Sequence, residues 1–173
     1  MKRFLLSSLV MMLFAGHVFS AFSFSEVDLR LFDDSRIVFP TDIVQGEPVV
    51  VALTLSSSRS NGEQQQEAFL EWHENIVDQV GEQRLYHIAV IDGAPFFVRG
   101  AIRSGLAKSY EGIVKPSQGG VIFLSRAERF AAQGGISIDG EPTLVVLSPD
   151  QNIAGVIKGS YSEQKKNQLL ALL

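Results

Sequence analysis

Seven consecutive residues, Ser56-Ser-Ser-Arg-Ser-Asn-Gly62, gather hydroxyls, a guanidinium and a carboxamide between two apolar segments. Before them runs Val49-Val-Val-Ala-Leu-Thr-Leu55, and after them Ala68, Phe69, Trp72, Ile76 and Val80 recur at helical spacing within Glu63 to Gln79. The loop therefore ends a strand and opens a helix. Hydroxyls, Arg59 and free backbone N–H groups at a helix start suit a phosphate or carboxylate. The same residue types also make an ordinary capped helix start in a solvated loop. Both readings stand open.

Other chemistry is sparse. The chain has no cysteine, which removes disulfides, thiolate-ligated metals, haem attachment and thiol nucleophiles at once. His73 and His87 have no acidic or histidine neighbours at metal-ligand spacing, so they read as partly buried structural residues, and no metal or cofactor is expected. No G-x-S-x-G elbow accompanies the many serines. Gly119-Gly120 and Gly134-Gly135 lack the strand-turn-helix setting of a dinucleotide site and read as turns and a helix cap. Phe96, Phe97, Phe123 and Phe130 suit a hydrophobic core, or else a partner surface.

These groups are positioned by an ordered run of elements. Val27, Leu29 and Leu31 alternate with polar residues, Asp33-Asp34-Ser35 supplies a turn, and Arg36 to Phe39 resumes a β-rich run, predicting an N-terminal hairpin. Val49 to Leu55 predicts a strand covered on both faces. Leu85 to Ile91 predicts another, broken by Asp92-Gly-Ala-Pro95. A helix follows from about Phe96 to Tyr110, with Phe97, Ile102, Leu106 and Tyr110 facing the sheet. Pro116 to Gly120 reads as loop, Val121 to Leu124 as a short strand and Arg126 to Gln133 as a short helix. Thr143 to Leu147 and Ile153 to Lys158 form a hairpin, and Ser160 with Glu163 suggests a capping box for a last helix carrying Leu169, Leu170 and Leu173. Crossover units mixed with hairpins imply a mixed sheet flanked by helices, an α/β architecture.

Lys2 and Arg3 precede an apolar run from Phe4 to Ala15, with Val18 and Ser20 at the small-residue positions of a cleavage before Ala21. This is the layout of a secretory signal peptide over residues 1–20, leaving one domain over 21–173. The run is too short for a bilayer-spanning helix, which needs about 20 residues, so no stable membrane insertion is expected. Cleavage would leave 13 basic against 19 acidic residues, a formal −6. That balance argues against a nucleic-acid partner.

Gly135-Ile-Ser-Ile-Asp-Gly-Glu-Pro-Thr-Leu-Val-Val-Leu147, followed by a turn, Gly159 and a final helix, resembles the C-terminal half of thioredoxin-like proteins. The N-terminal hairpin ending in Gly46-Glu-Pro48 and the extra segment Phe96 to Arg129 resemble the exported, peroxiredoxin-like branch of that superfamily. Within it, Phe97 to Tyr110 and the Ser-Arg-Ser after the central strand are similar to the YtfJ family of periplasmic proteins. The resemblance implies a thioredoxin-like three-layer sandwich, a mixed central sheet flanked by helices, with an added N-terminal β-hairpin. It also implies a periplasmic location.

It further places Ser58-Arg-Ser-Asn61 where thioredoxins carry C-x-x-C, with Glu141 and a cis Pro142 flanking the same site and Glu141 in reach of Arg59. A serine hydroxyl does not ionise near neutral pH without a dedicated base and forms no exchangeable crosslink. Dithiol and peroxidase activities are thus excluded on chemical grounds. Two functions remain: a non-catalytic binding or assembly module that holds a periplasmic protein, peptide or small anion around Ser58, Arg59, Ser60, Asn61, Glu141 and Pro142, or an enzyme with non-thiol chemistry around Arg59, Glu141 or His73.

Overall fold

A computed structural model describes residues 22–56 and 58–173. The expected signal peptide over residues 1–20 lies outside the described residues. Five strands fall where the apolar patterning places them: β1 (Val27–Leu31), β2 (Arg36–Phe39), β3 (Val49–Leu55), and the hairpin β6 (Thr143–Leu147) and β7 (Ile153–Lys158). β4 (Leu85–Asp92) and β5 (Gly119–Leu124) complete a seven-stranded sheet in the order β2-β1-β5-β4-β3-β6-β7.

The three central strands, β5, β4 and β3, are parallel, and the hairpins flank them antiparallel on either side. Parallel neighbours require crossover connections, supplied here by the helices α1 (Arg59–Val80) and α2 (Phe96–Ser109). Two shorter helices, α3 (Ala127–Gln133) and α4 (Glu163–Leu170), complete the set. Among the described residues no helix is long and apolar enough to cross a membrane.

β3 is buried along its whole length, because its alternate side chains enter different layers. Val49, Val51, Leu53 and Leu55 join Phe24, Phe39 and Phe130 of α3 on one face. Val50 and Ala52 join Phe69, Trp72 and Ile76 of α1 and Leu169 of α4 on the other. The result is the three-layer α/β sandwich with an added N-terminal hairpin. Its central strands direct their C-terminal ends, at Leu55, Asp92 and Leu124, to one edge of the sheet.

Several boundaries differ from the sequence reading. α1 begins at Arg59 rather than near Glu63, because the Ser58 hydroxyl accepts a hydrogen bond from the Asn61 N–H at 3.3 Å and caps the helix four residues early. The last helix is capped by Ser162, not Ser160: Ser162 is extended and accepts from the Lys165 N–H, leaving Ser160 outside the helix. Gly119-Gly120 is not a turn. Both residues open β5, where β1 crosses so closely that a Cβ on Gly120 would stand 2.8 Å from the Arg30 carbonyl oxygen. Phe97 does not face the sheet, since α2 begins with Phe96 and Phe97 on its outer side, 86% and 84% exposed.

Candidate functional site

The end of β3, the first turns of α1 and the approach to β6 meet as the resemblance implies, but their polar groups bind one another. Gln65, 1% exposed, lies one turn beyond Asn61 on the inner side of α1. Its carboxamide oxygen accepts from the Leu55 N–H at 3.1 Å. Its amide nitrogen donates to the Leu55 carbonyl at 2.9 Å and to the Asn61 side-chain oxygen at 2.8 Å. Asn61 in turn donates to the Gly140 carbonyl at 2.9 Å.

A polar clasp thus joins the end of β3, the start of α1 and the loop before Pro142. Gln65 satisfies both backbone groups of Leu55 at the point where β3 has run past its β6 neighbour, and its own donors and acceptor are used. Gln65 was missed in the sequence because a glutamine in the polar run Glu63 to Glu67 reads as part of a solvated helix face.

The other candidate residues do not converge. Arg59 points into solvent and pairs with Glu63 one turn along α1, at 2.8 Å; it does not meet Glu141. The i,i+4 partner lies on the same helix face, whereas Glu141 belongs to a separate loop. Ser60 is exposed, with its hydroxyl 3.5 Å from that of Ser58. Glu141 is exposed, and its backbone N–H is held by the Asp139 carboxylate at 3.2 Å.

Pro142 is not cis. Among the described residues the cis bond is Phe39–Pro40. The chain turns instead at Gly140, whose φ of +85° suits glycine, and the Pro142 carbonyl then receives the Gly159 N–H at 2.8 Å. The structure brings Ser58, Asn61 and the loop before Pro142 together around the clasp and leaves Arg59, Ser60 and Glu141 on the surface.

A second polar cluster lies deeper, between α1 and β4. His73 and His87 are both buried, with His73 Nδ1 3.0 Å from His87 Nε2. His87 Nδ1 is buried without a partner. An orphaned lone pair costs less than an orphaned N–H, which assigns the proton of His87 to Nε2, donating to His73. Phe69 meets the His87 ring edge-on and Tyr110 lies 5.1 Å from it.

Burial pushes the His87 imidazole down to about 3, with the His73 charge acting the same way. His73 is lowered by burial, against the opposing pull of Glu82 and Glu74. Burial also raises the Tyr110 phenol, opposed by the Thr54 hydroxyl. Burial thus disfavours charge on each of these groups. No group of three or more metal-ligating side chains gathers among the described residues.

No family model and no curated protein sequence matches the chain. Solved structures do match. A putative electron transport protein from Aquifex aeolicus VF5 superposes with a TM-score of 0.62 at 14% identity, covering 89% of this chain and 96% of that one. BsSco, of the Sco family of cytochrome c oxidase assembly proteins, gives 0.60 at 8% identity over 88% and 92%. The pneumococcal exposed lipoprotein thioredoxin Etrx1, from Streptococcus pneumoniae strain TIGR4, gives 0.53 at 13% identity over 86% and 100%. With β3 running into α1 and the hairpin β6–β7 packed beside it, the chain has the thioredoxin-like fold.

Proposed function

We propose that this chain is a non-catalytic binding or assembly module of the periplasm, built on the thioredoxin-like fold and belonging to its exported, peroxiredoxin-like, YtfJ-type branch. The observation that carries this reading is the clasp through Gln65. Where a dithiol would need free sulfur atoms at the helix start, the Ser58 hydroxyl caps α1 and the Asn61 carboxamide is tied to Gly140 and to the buried Gln65, whose own hydrogen bonds go to Leu55 and Asn61. A group so fixed contributes rigidity rather than turnover. Without cysteine the chain supplies no electron carrier of its own at this position.

The surface above the clasp, formed by Ser58, Arg59, Ser60 and Glu141, is polar and solvated, which suits holding a partner more than enclosing a substrate. The Sco proteins of the same fold are assembly proteins for cytochrome c oxidase, so an assembly role on this scaffold has precedent.

Two measurements test the reading. The purified protein should reduce insulin and consume peroxide no faster than the thiol buffer alone. A photo-crosslinking residue at Ser60 should capture a discrete partner in intact cells, while the same residue at Lys115, near the opposite edge of the sheet, should not. Protein-dependent turnover that survives repurification, or capture indifferent to position, would overturn the proposal.

A further inference from the structure

We infer a second site, independent of the reading of Ser58 to Asn61: a cleft at the C-terminal end of β5 that binds a small amphiphilic anion, an acidic head on an apolar body. The cleft is open to solvent, offers about 550 Å³, and is lined by Val27, Leu124 and Phe130 on its apolar side and by Ser125, Arg126 and Arg129 on its polar side. That volume falls in the range of small-molecule sites, roughly 300 to 1,000 Å³.

Arg126 and Arg129 are exposed, and among the described residues neither comes within 4.0 Å of a carboxylate. The acids that flank Val27 have other partners. Asp28 is paired with Arg36 at 2.6 Å, and Glu26 accepts from the Thr41 hydroxyl at 2.6 Å. Glu128, between the two arginines in sequence, pairs with neither.

Arg126 caps α3 and Arg129 lies in its first turn, so two cations without a salt bridge line the same cleft, and an incoming anion would neutralise them. In a chain of formal net charge −4 this local excess is against the general trend. Gln133 adds a neutral donor at the rim: its carboxamide oxygen is taken by the Ser25 hydroxyl at 2.8 Å, leaving its amide N–H groups unpartnered among the described residues. Guanidinium groups hold carboxylates and phosphates bidentately, and the Val27, Leu124 and Phe130 side accepts the apolar body.

The test is an amide-resonance titration of the isotope-labelled protein with N-acetylphenylalanine, its neutral amide, and octanoate. The two acids should shift Leu124, Ser125, Arg126 and Gln133 saturably, with the neutral amide at least about tenfold weaker. Tighter binding of N-acetylphenylalanine points to a peptide C-terminus as the natural source, and tighter binding of octanoate to a free acid. Arg126→Gln with Arg129→Gln should weaken both acids at least about tenfold, while Arg126→Lys with Arg129→Lys retains part of the affinity. Both positions are exposed, so the variants should fold, as circular dichroism would verify. Equal binding of acid and amide, unchanged binding by the glutamine variant, or no saturable shift below about 10 mM would overturn the inference.

Discussion

Mild acid should destabilise this protein through its buried histidine pair, well before its carboxylates titrate. His87 is held near 3 in the folded state against an ordinary value of 6.5. Because the folded value is depressed, the unfolded chain takes up a proton as pH falls through 6.5 while the folded chain does not. The stability is fully present at neutral pH and is lost progressively below 6.5, until the folded histidine itself protonates near 3.

At about pH 5.0 the linkage relation gives a loss of about 2 kcal/mol from His87 alone. His73, shifted in the same direction, adds to it. Against a typical total of about 5 to 15 kcal/mol this is a large fraction. The carboxylates with lowered values, Asp33, Asp139 and Glu163, contribute at lower pH, so the interval from about 7.5 to about 5.0 isolates the histidines.

Trp72 is the one tryptophan of the chain and is buried against Tyr161, so its fluorescence reports urea unfolding directly. With a urea slope of about 2 kcal/mol per molar, the midpoint should fall by about 1 M over that interval. His87→Leu should remove most of the dependence. A midpoint at about pH 5.0 within about 0.3 M of that at about pH 7.5 would refute the neutral-pair geometry.

Other expectations follow from the same contacts. Gln65→Ala strands the Leu55 N–H and carbonyl in the interior and should cost about 2 to 4 kcal/mol by urea denaturation; a loss under about 1 kcal/mol would mean that the clasp does not close. Gly120→Ala forces a methyl group against the Arg30 carbonyl and should cost about 1 to 3 kcal/mol, so an unchanged melting temperature would contradict the close crossing of β1 over β5. Phe96→Ser with Phe97→Ser should leave stability within about 0.5 kcal/mol, because both rings stand in solvent; a larger loss would place them in a core.

The strands were legible where burial imposes a pattern on neighbouring residues. Val49 to Leu55 is apolar but for Thr54, with four β-branched residues, because both of its faces are covered, and Val27, Leu29 and Leu31 alternate because only one face of that strand is fully covered. Helix starts were less legible. Among closely spaced serines, which hydroxyl caps depends on backbone angles that composition does not encode, so Ser58 and Ser162 cap where Gly62-Glu63 and Ser160 looked the better boundaries.

The candidate site suffered most from this locality. Arg59 found Glu63 on its own helix before any partner across the sheet, and the chain before Pro142 turns at Gly140 with Pro142 trans. The His73–His87 contact joins residues 14 apart, through the packing of α1 on β4, which no short motif announces.

We propose that Ser58 and Asn61 stand at the position of a thioredoxin-type dithiol, with a hydrogen-bonded clasp in its place. Residues three apart at a helix start have Cβ atoms about 5 to 6 Å apart, close enough for modest movement to bring them within bridging distance. The most direct measurement is oxidation of the Ser58→Cys with Asn61→Cys variant, read by intact mass, together with alkylation rate against pH for Ser58→Cys alone. An intramolecular disulfide is expected, and a thiol at position 58 ionising below the ordinary value of about 8.5, lowered by the helix start and Arg59. A pair that fails to bridge, with an ordinary thiol at position 58, would contradict it.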